Sequence, residues 1–350
     1  MVPREGARDR GALGGRPLLN EPSPLFSVVV PSRGDPNRLL PLLHALAQQT
    51  LPASLRDVVI VFDGAKPASG IQESLDRARF RAVVLRERRG PGAARNAGAL
   101  EARGAWLAFT EDDCIPERDW LERAAARIDA GDSIDVLEGA TLLPNGRPAR
   151  RRHAGQPTWL PTNLFVRRDL FERIGGYCEG FFDPRSGVYF REDSDLGFAL
   201  AESGAKIRVD ETIRVTHPRE HPSWLDPIRW ARRYQMDPLL SARHSESFRD
   251  EIEVLRLGPL QIRRPFVRAS AGYVLTLVAA IIAILVGEGA MASGFLVAAG
   301  VLALVIWGKW RWDPRKLPGA LIAPFVLLAS LFQGRAWARA HGRVASRITR

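Results

Sequence analysis

At Arg268 the chain changes its solvent preference, and the residues beyond it fit poorly into a soluble globular fold. Residues Ala269 to Gly287 form an uncharged apolar run and Gly289 to Gly308 form another, with only Glu288 between them. Each is about the length that carries a helix across a ~30 Å hydrocarbon core. A third uncharged run, Leu317 to Gly334, is slightly shorter and holds Pro318 and Pro324. A buried helix of a soluble protein accounts for one such run, but not readily for three in succession.

Basic flanks set an orientation for these runs. Arg263, Arg264 and Arg268 precede the first, while Lys309, Arg311, Arg315 and Lys316 come after the second. The pair therefore reads as a hairpin with both ends in the cytoplasm. After the third run Arg335, Arg339, Arg343, Arg347 and Arg350 recur along one side of a helix. This basic tail, 335–350, suits anionic headgroups, with an ordinary solvated face as the competing reading. For 317–334, a full span and a re-entrant or interfacial segment are equally open.

Charge and cysteine content narrow the partners. A net charge of +11 implies an anionic partner: nucleic acid, a phosphorylated substrate or a membrane surface. Many arginines flank the apolar runs, which favours membrane lipids. No zinc-finger spacing, RNA-recognition signature or basic zipper is present, so nucleic acid is not expected. Cys114 and Cys178 lack metal-ligand spacing, so a disulfide framework is not expected either. Residues 1–24, rich in Arg, Gly and Pro without a signal-peptide run, read as a disordered lead-in. Together these place the soluble part in the cytoplasm, anchored to a cell membrane by a multi-pass tail.

Residues 25–222 read as one α/β domain. Phe26-Ser-Val-Val-Val-Pro31, Asp57 to Asp63, Ala82 to Leu85 and Trp106 to Phe109 are strand-like, and helical periodicity separates them at Arg38–Gln49, Gly70–Ala78 and Gly92–Arg103. This alternation predicts a mostly parallel sheet with helices on both faces, binding ligands beyond the carboxyl ends of its strands. Residues 223–268, with Trp224, Trp230 and Tyr234 among arginines, read as amphipathic interfacial helices.

Two acidic clusters carry the chemistry. Glu111-Asp112-Asp113 follows the fourth strand, and Glu192-Asp193 with Asp195 opens a later helix. Buried carboxylates cost several kcal/mol unless a cation or hydrogen bonds satisfy them, roughly the situation a divalent metal on a phosphate-bearing substrate resolves. The second cluster is placed to supply a base, although helix capping accounts for it as well.

These residues, in order, resemble the inverting family 2 glycosyltransferases of the GT-A fold. The resemblance covers roughly Ser27 to Pro218. It rests on Val28-Val-Val-Pro-Ser-Arg33, Asp63, Gly92-Ala-Ala-Arg-Asn-Ala-Gly98, Phe109-Thr-Glu-Asp-Asp-Cys-Ile-Pro116, Arg173-Ile-Gly-Gly-Tyr177, Arg191-Glu-Asp-Ser-Asp-Leu196 and His217. The implied fold is a Rossmann-like GT-A domain followed by transmembrane helices.

The resemblance implies a role for each position. Pro31, Arg33, Asp63, Arg95 and Asp112 would hold the nucleotide donor, and Asp113, His217 and the atypical Glu111 a divalent Mg or Mn ion. Trp159, Asn163, Gly176 and Glu192 would shape the acceptor and donor-sugar pocket. Asp193 would be the base that deprotonates the acceptor hydroxyl. Uridine diphosphate sugars are the commonest donors in that family, with guanosine and thymidine diphosphate sugars also in use; the acceptor would be a glycan or a lipid-linked hydroxyl. Asp226-Pro-Ile-Arg229-Trp230 lacks the Gln of the processive synthases' motif, so non-processive transfer is expected. Two rivals stand beside this: a sugar-phosphate nucleotidyltransferase, and an inactive nucleotide-binding scaffold.

Overall fold

The computed structural model describes residues 23–131, 133–150, 156–218 and 222–342. Nearly all of the expected disordered lead-in, and Arg343, Arg347 and Arg350 of the basic tail, lie outside the described residues.

The α/β alternation is present from the first strand. β1 (Phe26–Ser32) is buried almost throughout because it is flanked on both sides, which is why its sequence is a continuous apolar run. Asp35 caps α1 (Pro36–Ala47) by accepting the backbone N–H of Asn37. There follow β2 (Arg56–Asp63), α2 (Ser69–Ala78), β3 (Arg81–Leu85), α3 (Pro91–Glu101) and β4 (Trp106–Phe109). The second half is more irregular. It comprises β5 (Ile115–Pro116), α4 (Trp120–Asp129), β6 (Val136–Leu142), β7 (Leu164–Arg167) and α5 (Arg168–Arg173). Then come the short pair β8 (Phe182–Asp183) and β9 (Val188–Tyr189), α6 (Glu192–Glu202) and β10 (Ile207–Thr216).

Eight strands form one sheet in the order β3-β2-β1-β4-β7-β6-β10-β5. It is parallel from β3 to β4 and between β6 and β10, with β7 and β5 antiparallel to their neighbours. One core packs Phe26, Val28, Leu42, Trp120 and Phe165 on one face, and a second packs Val29, Phe109, Trp159, Phe171 and Leu196 on the other. Each such side chain contributes about 1.5–3 kcal/mol on burial. The topology brings the ends of β1, β2, β4 and β10 to one edge. That edge collects Ser32, Asp63, the 111–113 acids and His217.

The segment after the domain departs from the expected run of helices. α7 (Asp226–Arg233), a 3-10 turn (Tyr234–Met236), α8 (Asp237–Arg243) and α9 (Ser245–Glu251) are helical. Between them and the tail stands a hairpin, β11 (Val254–Leu257) paired with β12 (Leu260–Arg263). Its alternation of apolar and polar residues around Gly258-Pro259 has the period of a strand, not of a helix.

Three helices are long and apolar enough to cross a membrane: α10 (Pro265–Leu285), α11 (Gly289–Gly308) and the segment 314–341 containing α12 (Leu317–His341). α10 and α11 form an antiparallel pair with bare flanks such as Leu285 and Val297. α12 is different, because it lies along α7 and α8. A β-carbon on Gly319 would sit 2.0 Å from the Trp224 carbonyl oxygen, and one on Gly334 2.2 Å from that of Gln235. At its far end Trp337 Nε1 donates to the Gly180 carbonyl at 2.7 Å.

Candidate active site

A cavity of about 510 Å³ opens at the sheet edge, between the ends of β1 and β2 and the start of α3. Pro31, Arg33, Asp63, Arg95 and Asp112 all line it, together with Glu111. The five nucleotide-binding candidates therefore meet in one place. Asp63 also has a local task, since its carboxylate accepts the backbone N–H groups of Arg89 and Gly90 at 2.6 and 2.9 Å. Asp112 accepts from Ser32 Oγ at 2.8 Å and from Arg38 Nε at 3.0 Å.

The acidic triplet follows β4 directly, and antiparallel pairing of Thr216 with Ile115 sets His217 beside it. His217 Nε2 lies 3.5 Å from Glu111 Oε2 and 3.7 Å from Asp113 Oδ1, and its Nδ1 faces the Pro218 carbonyl at 2.8 Å. One ligand atom each from Glu111, Asp113, Cys114 and His217 falls within 4.8 Å of all the others. Two carboxylates and an imidazole are a donor set that Mn²⁺ or Mg²⁺ accepts. Cys114 is a poorer partner, because burial pushes its thiol far above the usual range and keeps it protonated.

The electrostatics of this cluster follow from its crowding. The hydrogen bond to Glu111 is the main cause that raises His217 to about 9. Burial alone would raise Glu111, but His217, Arg95 and Arg38 more than offset it and hold the carboxylate low. Asp113 is raised, chiefly by burial, although Arg38 Nη2 sits 2.7 Å from it.

Glu192 and Asp193 open α6 and point different ways. Buried Glu192 faces Arg95 Nη1 at 3.9 Å; burial and the adjacent Asp193 push it up to about 7. Asp193 is the more open of the two, with Arg150 Nη1 at 3.8 Å. Asp195 turns away from both to meet Arg243 at 2.5 Å and His244 at 3.0 Å. Arg150 also lines a second cavity of about 640 Å³, walled by Thr141, Thr158, Glu211 and Arg214.

Some candidates have supporting tasks. Asn163 is fully buried: its amide donates to the carbonyls of Ala140 and Ile213, and its oxygen accepts from Trp120 Nε1. The structure thus does not bring Asn163 into a pocket; it makes it a brace between β6, β10 and α4. Trp159 packs onto α6 where only a glycine fits, a β-carbon on Gly197 lying 2.3 Å from the indole. Gly176 has φ 68°, and the turn it allows is clamped by Asn96, which bonds the backbone of Tyr177 in both directions at 2.9 Å. Tyr177 then lies 5.2 Å from the Arg95 guanidinium. Ser32 of the first motif lines the same cavity, as do Arg38, Arg88 and Tyr189, which sequence reasoning missed. Their single-residue signals are indistinct in sequence, since each reads as an ordinary turn, helix or strand residue.

The model of Glycosyl transferase family 2 matches residues 27–191. Over that stretch, just under half of its length, the chain is similar to glycosyltransferase family 2. Glycosyltransferase AglE of Haloferax volcanii is 28% identical over 194 residues, covering 51% of this chain and 64% of that protein. Succinoglycan biosynthesis protein ExoO of Rhizobium meliloti is 32% identical over 182 residues, covering 49% of this chain and 46% of its own length. The chain thus spans less than two thirds of either relative. Among solved structures, mannosyltransferase PcManGT from Pyrobaculum calidifontis, in complex with GDP-Man and Mn²⁺, superposes with a TM-score of 0.52. At 16% identity, over 89% of this chain and 87% of that one, the likeness is one of fold. The family 2 similarity of residues 27–191 favours glycosyl transfer over the nucleotidyltransferase rival.

Proposed function

We propose that this glycosyltransferase moves a sugar from a nucleoside diphosphate donor to a hydroxyl of a glycan or lipid-linked acceptor, with inversion, beside a membrane. The observation that carries it is the arrangement around the donor cavity. The Glu111–Asp113–His217 cluster borders it on one side, and Arg95 separates Glu111 from the Glu192-Asp193 pair on the other.

Each residue then has a task. Asp63, Arg33 and Asp112 hold the nucleotide and its ribose. Glu111, Asp113 and His217 would hold a divalent ion, which when bound neutralises charge on the departing diphosphate. Asp193 takes the proton from the acceptor hydroxyl as its oxygen bonds to the anomeric carbon and the bond to the diphosphate oxygen breaks. Attack from the face opposite the leaving group inverts that carbon, and the cavity beside Arg150 is the acceptor's approach. The protein's main contribution is positioning. Trp230 supports non-processive transfer: its ring is taken up by Tyr234, Phe266 and Trp310, with Lys309 over its face.

We read α10 and α11 as the membrane hairpin, with the domain on the cytoplasmic side. α12 supports an interfacial seat rather than a third span. Its two ends contact Trp224 and Gly180, both in segments outside the three apolar helices, and the helix it runs along, α7, carries Arg229, Arg232 and Arg233. A helix crossing ~30 Å of hydrocarbon would separate those ends.

A screen of nucleotide sugars with Mn²⁺ or Mg²⁺ tests the function. Acceptor-dependent release of nucleoside diphosphate, abolished by chelator, is the expected result. His217→Ala should raise the metal concentration needed for half-maximal turnover roughly tenfold or more. Release that ignores chelator and the His217 substitution would remove the metal from the reading.

A further inference from the structure

Asp237, at the first turn of α8, is 1% exposed and carries an arginine on each carboxylate oxygen. Oδ1 accepts from Arg191 Nε at 2.8 Å, and Oδ2 lies 2.6 Å from Arg264 Nη2. Both arginines have left-handed backbones, φ 75° at Arg191 and 54° at Arg264. Residues with a β-carbon stay in that conformation only where their surroundings hold them. Arg191 immediately precedes Glu192-Asp193, and Arg264 immediately precedes α10, the first apolar helix.

The ionic chain continues past Arg264. Its Nε lies 3.2 Å from Glu253, which also receives the hydroxyl of Tyr234 and stands 3.7 Å from Lys309 at the end of α11. One network, buried at Asp237, Arg191 and Tyr234 and partly buried at Arg264, Glu253 and Lys309, therefore joins the start of the base helix to both roots of the apolar hairpin. None of its members lines the donor cavity. Buried ion pairs are seldom the most stabilising use of a core position, and apolar residues of similar volume often serve better. Here the network fixes two backbone turns that apolar packing has no direction to specify.

We propose that Asp237 is a positioning residue: through Arg191 it sets the start of α6, and through Arg264 it makes the placement of Asp193 depend on the seating of the α10–α11 hairpin. This rests on the reading of Asp193 as the base. Asp237 touches no substrate in this role; it acts through the turn at Arg191. Apolar helices that look like a passive anchor thereby become part of the catalytic geometry.

The test uses the full chain in lipid nanodiscs, with Asp193→Asn measured in parallel. Glycine accepts a left-handed φ freely, so Arg191→Gly and Arg264→Gly keep each turn while deleting its tie to Asp237. Both should lower kcat roughly tenfold or more while donor KM stays within about twofold, because misplacement of the base leaves the donor cavity untouched. Arg191→Lys should restore part of the lost kcat. Turnover within about twofold of the parent in either glycine variant, with Asp193→Asn inactive, overturns the proposal. So does a loss of donor binding in step with kcat, or a collapsed thermal midpoint in both, which would make the network purely structural. If Asp193→Asn itself turns over normally, the base assignment fails instead.

Discussion

Arg95 Nη2 lies 3.2 Å from Glu111 Oε1, and this contact is made by a guanidinium that is 1% exposed. The other arm of the same group faces Glu192 at 3.9 Å, and Tyr177 packs against its plane. From sequence, Arg95 is expected on the phosphates. It borders the cavity at the sheet edge, but most of it serves as a joint between the metal-site candidates and the start of α6.

Arg95 is therefore a residue whose loss should cost both fold and activity. Removing one partner from a buried ionic group costs about 3–5 kcal/mol, because the charges left behind stay desolvated. Arg95→Gln should lower the thermal midpoint and abolish turnover. Arg95→Lys, a single point charge without the planar fork, should recover little of either. Differential scanning fluorimetry with a turnover assay checks this, and a Lys variant equal to the parent would refute the joint.

Glu192 should make stability depend on pH in a particular direction. Burial and Asp193 raise it from 4.5 to about 7, so the folded chain holds that proton more tightly than the unfolded one. Stability from this group is fully present below pH 4.5 and declines as pH rises towards 7. Glu192→Gln removes that decline. Thermal midpoints of parent and variant between pH 5 and 8 should diverge, the parent losing ground as pH rises; parallel curves would contradict the assignment.

The seat of α12 predicts where the C-terminus lies. A tag after Arg350 should be cleaved, or protected, together with the catalytic domain in sealed vesicles. Opposite behaviour of the two would establish a third span and remove the interfacial reading.

Much of this was legible in the sequence, for identifiable reasons. Strand ends carry their residues to a common edge in a parallel sheet, so Pro31, Asp63 and Asp112 could be grouped without coordinates. His217 was reachable because a strand-like stretch precedes it, and the β10–β5 pairing brings it to the triplet. The residues that escaped depend on side-chain direction and long-range packing. Asn163 sits in a loop by pattern, yet its amide is consumed by Ala140 and Ile213. Arg38 lies on a helix surface by periodicity and still reaches Asp112 and Asp113. The pairing of Arg191 with Asp237 spans elements that no local pattern connects.

The central assignment is Asp193 as the base, and one substitution reaches it most directly. Asp193→Asn changes a carboxylate to its near-isostere, in a side chain whose one described long-range ion pair is Arg150 at 3.8 Å. Single-turnover transfer should fall by roughly 10²-fold or more, the usual contribution of a positioned base, with nucleotide and metal binding by calorimetry unchanged. Transfer at the parent rate in a variant that binds donor normally would mean that another group takes the proton.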